Sequence, residues 1–191
     1  YTAAKSALTV WPDVGKIPLI SFQPLIADTA RAFDGDDNAD YYARNSLTVS
    51  EFTAVLEQLY AGGYVLVSME DMAAPDNTGT YQPGQILLPE GKKPLILSLV
   101  PAHYTTGLAG DGFARRLVVA SGGQIACEYV DAEGKATTGS YDLVSILETF
   151  LTQHPDFSYR GARAILGISG DPSPLGYDLT DETEQASARK V

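Results

Sequence analysis

Two histidines, His103 and His154, are the only imidazoles among 191 residues, so a histidine-rich metal site is excluded. A catalytic zinc usually takes three protein ligands, and one built here would combine carboxylates with a single histidine. His154 precedes Pro155 at the end of an apolar-periodic segment, where an imidazole suits a helix C-terminus. His103 reads as a structural or surface histidine, with general base or metal ligand as the functional alternative. Asp34-Gly35-Asp36-Asp37-Asn38-Ala39-Asp40 spaces oxygen ligands like a calcium loop. The sixth and twelfth positions, where an EF-hand needs Gly and Glu, hold Ala39 and Asn45, so a solvated acidic turn is expected. Gly107-Leu108-Ala109-Gly110-Asp111-Gly112 has neither dinucleotide nor Walker spacing, and no G-x-S-x-G elbow is present. Cys127 is expected to pack inside a strand. Arg160 and Arg163, beside Tyr159, read as surface arginines, with a grip on an anion or sugar as the alternative.

Elements that position such groups are marked by periodicity. Ile17–Phe22, Tyr64–Met69, Pro94–Val100 and Ala164–Ser169 are short apolar runs. The third is apolar throughout, as a parallel strand buried on both faces would be. Thr48-Val49-Ser50-Glu51 forms a capping box, and Phe52, Val55, Leu56, Leu59 and Tyr60 follow on one helical stripe stopped by Gly62-Gly63. A strand, a helix and an apolar strand in this order predict a right-handed βαβ unit. Asp142 begins a second helix with Leu143, Ile146, Leu147, Phe150 and Leu151 on one face. Arg116–Ala120 and Gln124–Val130 flank Ser121-Gly122-Gly123 and continue past Asp131–Gly134 toward Thr137, the pattern of an antiparallel meander. Pro75–Lys93 reads as a Pro- and Gly-rich loop, residues 1–16 as an irregular lead-in, and 17–191 as one α/β domain. Another helix is expected to start at Thr180-Asp181-Glu182, and the sheet to lack its later strands.

In parallel α/β folds chemistry gathers where strands end. The exits predicted here carry Gln23, Asp71, Val100, Pro101, His103 and Asp171, which are therefore the candidate pocket-lining residues. None forms a catalytic set: Gln23 can only hydrogen-bond, and Val100 and Pro101 offer neither proton transfer nor metal ligation. No catalytic residue and no metal ligand is assigned.

Composition narrows the partners. A net charge of −11 opposes general binding to nucleic acid or anionic membrane, and no segment approaches the ~18 apolar residues of a membrane span. One cysteine excludes an internal disulfide, there is no Asn-x-Ser/Thr sequon, and a chain beginning at Tyr1 suggests a processed or trimmed N-terminus.

Four strings resemble polysaccharide deacetylases, the NodB-like carbohydrate esterases, and the last three resemble a secreted Gram-positive branch of them. They are Pro18-Leu19-Ile20-Ser21-Phe22-Gln23-Pro24-Leu25-Ile26-Ala27-Asp28, Leu88-Pro89-Glu90-Gly91-Lys92-Lys93-Pro94-Leu95-Ile96-Leu97-Ser98-Leu99, Gly110-Asp111-Gly112-Phe113-Ala114 and His154-Pro155-Asp156-Phe157-Ser158-Tyr159-Arg160-Gly161. The resemblance runs from about Lys16 to the end. It implies part of a distorted (β/α) barrel with an inserted antiparallel meander, an extracellular or cell-surface location, and acetyl removal from polysaccharide by water activated on a divalent metal such as zinc.

By the same resemblance, a base and a metal ligand, both aspartates, would stand at positions 100 and 101. These are Val100 and Pro101. The branch's histidine is replaced by Gln23, and its pair of histidines four residues apart would lie beyond the helix starting near Asp181. The expectation is an inactive relative with no cofactor of its own that binds carbohydrate. The rivals are a working metal-dependent deacetylase relocated to His103, Asp71 or Asp171, and a protein–protein module. A homo-oligomer and a missing C-terminal half both remain open.

Overall fold

A computed structural model describes residues 7–168 and 174–191. Its strands are β1 (Leu8–Val10), β2 (Leu19–Phe22), β3 (Tyr64–Leu66), β4 (Ala73–Pro75), β5 (Tyr81–Pro83), β6 (Leu87–Pro89), β7 (Lys93–Ala102), β8 (Arg116–Val119), β9 (Ile125–Val130), β10 (Ala136–Gly139) and β11 (Ile165–Ile168). Its helices are α1 (Thr29–Ala32), α2 (Ala39–Asn45), α3 (Val49–Ala61), α4 (Thr106–Gly110), α5 (Leu143–Gln153) and α6 (Glu182–Ala188).

The organising element is β7, ten residues long and parallel to three partners. Ile96 N–H donates to Pro18, whereas the carbonyl of the preceding Leu95 accepts from Val67. Backbone groups of successive strand residues point to opposite sides, so β2 and β3 lie on opposite edges of β7. β3 pairs Lys93–Leu95, and β11 pairs further along, from Ser98 to Ala102, on the edge away from β2. The strands of the expected βαβ unit are thus parallel, with β7 between them.

Alternation along β7 explains its unbroken hydrophobicity. Leu95, Leu97 and Leu99 enter the main core with Phe52 and Leu56 of α3 and Leu147 and Phe150 of α5. Ile96 faces the other way, into a second cluster with Val65, Val67, Ile86 and Leu88. Both faces are covered, as a parallel strand requires. α3 has the predicted Thr48–Glu51 capping box, α5 is N-capped by Asp142, and α6 starts after Asp181. The meander β8–β9–β10 is antiparallel, as the turn signals predict.

Other expectations are revised. The segment read as a loop over 75–93 contains β5, which closes a hairpin with β4, and β6. β6 pairs antiparallel with β1, inside the supposed irregular lead-in. β2 and β3 are shorter than their apolar runs. The result is a mixed α/β fold with a parallel sheet and antiparallel hairpins. Among the described residues the sheet does not close into a barrel.

Candidate functional site

The ends of β2 and β7 open into a cleft of about 300 Å³ lined by Gln23, Pro24, Pro101, His103 and Thr105, with Asn38, Tyr41, Tyr42 and Ser46 from the α2 region and Leu108 and Phe113 opposite. Its walls are pinned by backbone. Ile26 bridges both Thr48 and Phe113, and the N–H groups of Ala27 and Asp28 both donate to the Gly112 carbonyl at 3.0 and 2.9 Å. Gly112 has φ +86°, and a Cβ there would stand 2.4 Å from the Asp28 carbonyl oxygen. Only glycine permits that approach.

Polar groups around the cleft are ordered from below. Tyr42 is buried. Its hydroxyl donates to Asp111 Oδ2 at 2.6 Å, Asn38 Nδ2 donates to the same oxygen at 3.2 Å, and the ring meets Phe113 edge-on at 4.9 Å. Burial and the Asp111 carboxylate push the Tyr42 phenol well above its usual pKa, so it remains a neutral donor. Tyr41, by contrast, is 56% exposed. Thr105 caps α4, accepting from Leu108 N–H at 3.2 Å. From the meander side, Tyr129 donates to Asp28 Oδ2 at 2.9 Å, and Arg31 donates to the Val130 carbonyl at 2.7 Å.

Three of the sequence-named positions, Gln23, Pro101 and His103, meet in this cleft. The others do not join them. Val100 is 44% exposed and leans over β11: a Cβ on Gly167 would lie 2.9 Å from both its methyl groups. Asp71 lines a different cavity of about 680 Å³, with Ser68, Met69 and Tyr159–Arg163. Its carboxylate accepts from Ser68 N–H and Oγ at 3.1 and 2.9 Å, capping a single turn, and faces Arg160 at 3.7 Å. Asp171 lies outside the described residues. His103 and Asp71 therefore sit in separate cavities, which bears against a relocated centre bridging them.

Asn38, Tyr41, Tyr42 and Thr105 are functional candidates that strand-exit reasoning misses. They come from a short helix and a cap in segments without strong apolar periodicity. The signal available was the Tyr41-Tyr42 pair itself, two adjacent aromatic donors in an otherwise charged stretch.

The donor set does not suit a divalent metal. The cleft offers one imidazole, amides and hydroxyls, and among the described residues no group of three or more His, Cys, Asp or Glu is placed to hold an ion. Asp34–Asp40 is an acidic turn whose carboxylates accept local backbone N–H groups: the Asp34 carboxylate accepts from Asp36 N–H, and the Asp36 carboxylate from Asn38 and Ala39 N–H. Cys127 is fully buried, 3.2 Å from Ser145 Oγ, with its thiol pKa pushed up by burial. Arg163 is paired with Glu148, and Arg160 stacks on Tyr159. No described helix is long and apolar enough to cross a membrane.

Hydroxyl, amide and imidazole groups beside an exposed aromatic ring can hydrogen-bond to and stack on a neutral polar ligand. Compared with protein-family models, curated proteins and solved structures, the chain matches none. The resemblance to polysaccharide deacetylases therefore rests on the quoted strings.

Proposed function

We propose that this chain is a polysaccharide-deacetylase-like module that binds glycan in the strand-exit cleft without hydrolysing it. The sheet would form part of that family's distorted (β/α) barrel, working outside the cell or at its surface. The observation carrying this reading is the cleft's composition: Gln23, Asn38, Tyr41, His103 and Thr105 line it together with Pro101, one of the two positions where the resemblance would put an acidic pair, while Val100, the other, lies over β11. Sugars present hydroxyls and acetamido groups that such side chains match, with an aromatic face for the apolar side of the ring. The test is calorimetric titration with fully acetylated chitotetraose, alongside an assay for released acetate with and without a chelator. Measurable binding and no acetate are expected. Chelator-sensitive acetate release sinks the reading.

A second reading, a protein–protein module, is favoured by the sheet's edges. Leu19 on β2 is 53% exposed and Ile168 on β11 is 51% exposed, each on a strand paired along one side only among the described strands. Sedimentation that stays monomeric with concentration, together with glycan binding, decides against it.

A further inference from the structure

His103 and Thr105 line the cleft, while Tyr104 between them turns into the core, 4% exposed. This is the alternation of an extended segment, so whatever holds Tyr104 inward also holds its two neighbours outward. The holding contact is specific. The Tyr104 hydroxyl donates to Asp142 Oδ2 at 2.6 Å, while the other oxygen, Oδ1, accepts from Val144 N–H at 2.7 Å and caps α5. Asp142 is 2% exposed. The network continues through Ser145, whose Oγ lies 3.2 Å from Cys127 Sγ on β9. Capping α5 needs only one carboxylate oxygen, so the second is committed to Tyr104. A phenylalanine would fill the same core volume without that bond. No water competes for a hydrogen bond buried at both ends.

We propose that Tyr104 and Asp142 are positioning residues for the cleft, their hydrogen bond fixing the His103–Thr105 segment and, through the Thr105 cap, the first turn of α4. The effect on ligand affinity rests on the glycan reading above; the effect on His103 does not.

The experiment exploits the chain's two histidines. Imidazole C–H resonances are recorded at one pH and assigned with His154→Gln. His154 is the internal control, because it closes the far end of α5 with its ring 4.3 Å from Tyr60 and 4.5 Å from Phe150. In Tyr104→Phe the His103 signals are expected to shift and broaden while those of His154 stay. Affinity for fully acetylated chitotetraose is expected to fall about five- to tenfold. Asp142→Asn should keep His103 near its original position, since the amide carbonyl can cap α5 while its N–H₂ donates to the Tyr104 hydroxyl.

If Tyr104→Phe folds poorly because it strands a buried carboxylate, Tyr104→Phe/Asp142→Ser retains a cap without that charge and should show the same His103 displacement. The proposal is overturned if His103 is unmoved in both variants, or if both histidines move together, which marks general loosening of the core. A displaced His103 in a protein whose unmutated form binds no chitotetraose upholds the positioning role and removes the glycan reading.

Discussion

Tyr41 and Tyr42 are neighbours in sequence with opposite tasks. Tyr41 offers an exposed ring to the cleft, while Tyr42 spends its hydroxyl on Asp111 and its ring on Phe113. Tyr41→Ala should therefore weaken chitotetraose binding about fivefold or more with little change in melting temperature. Tyr42→Phe should lower stability by about 1 kcal/mol in chemical denaturation. Asp142 makes a pH-dependent prediction. Burial is the largest influence on its carboxyl and raises it above the ordinary 3.8, against the hydrogen bonds from Tyr104 and Val144. The folded chain thus holds this proton more tightly than the unfolded chain does. The stability tied to the group is full below the ordinary carboxylate range and is lost as pH rises through the raised value. Denaturation of the native chain and of Asp142→Asn across that range should show the variant gaining relative stability as pH increases. A difference that stays constant with pH contradicts the assignment.

At the scale of elements, the loops around the cleft are locked by close backbone approach at Gly112. Gly112→Ala forces both a strained φ and a collision with the Asp28 carbonyl, and should cost roughly 2 kcal/mol or more, read from denaturant midpoints. Elements with local signatures were legible in the sequence. α3 and α5 show a cap followed by a helical stripe, β7 an unbroken apolar run, and the meander paired runs around glycine turns. β1 and β6 were not, because three-residue strands gain their identity from a partner distant in sequence: Thr9 lies opposite Leu88. The cleft divides the same way. Gln23, Pro101 and His103 follow from strand ends, whereas Tyr41 and Tyr42 arrive through the packing of Phe113 and Asp111 against α2. Asp71 is a strand-exit carboxylate by position, but Ser68-x-x-Asp71 also has the spacing of a capping box, and the structure uses it as one.

Across the whole molecule, a central ten-residue strand carries the cleft at its C-terminal end, and two helices and two apolar clusters hold that strand in place. With a net charge of −11, long-range attraction gives no help to an anionic ligand. The proposed binding of a neutral glycan would then rest on short-range contacts inside the cleft and should be nearly independent of salt. The proposed role of the cleft is binding without catalysis. One proton NMR titration with fully acetylated chitotetraose reads both parts at once, because the imidazole lines report on the cleft and the free acetate methyl line reports hydrolysis. The His103 lines should move with added glycan, the His154 lines should stay, and no acetate should appear. A growing acetate line, or His103 lines that never move, contradicts that role.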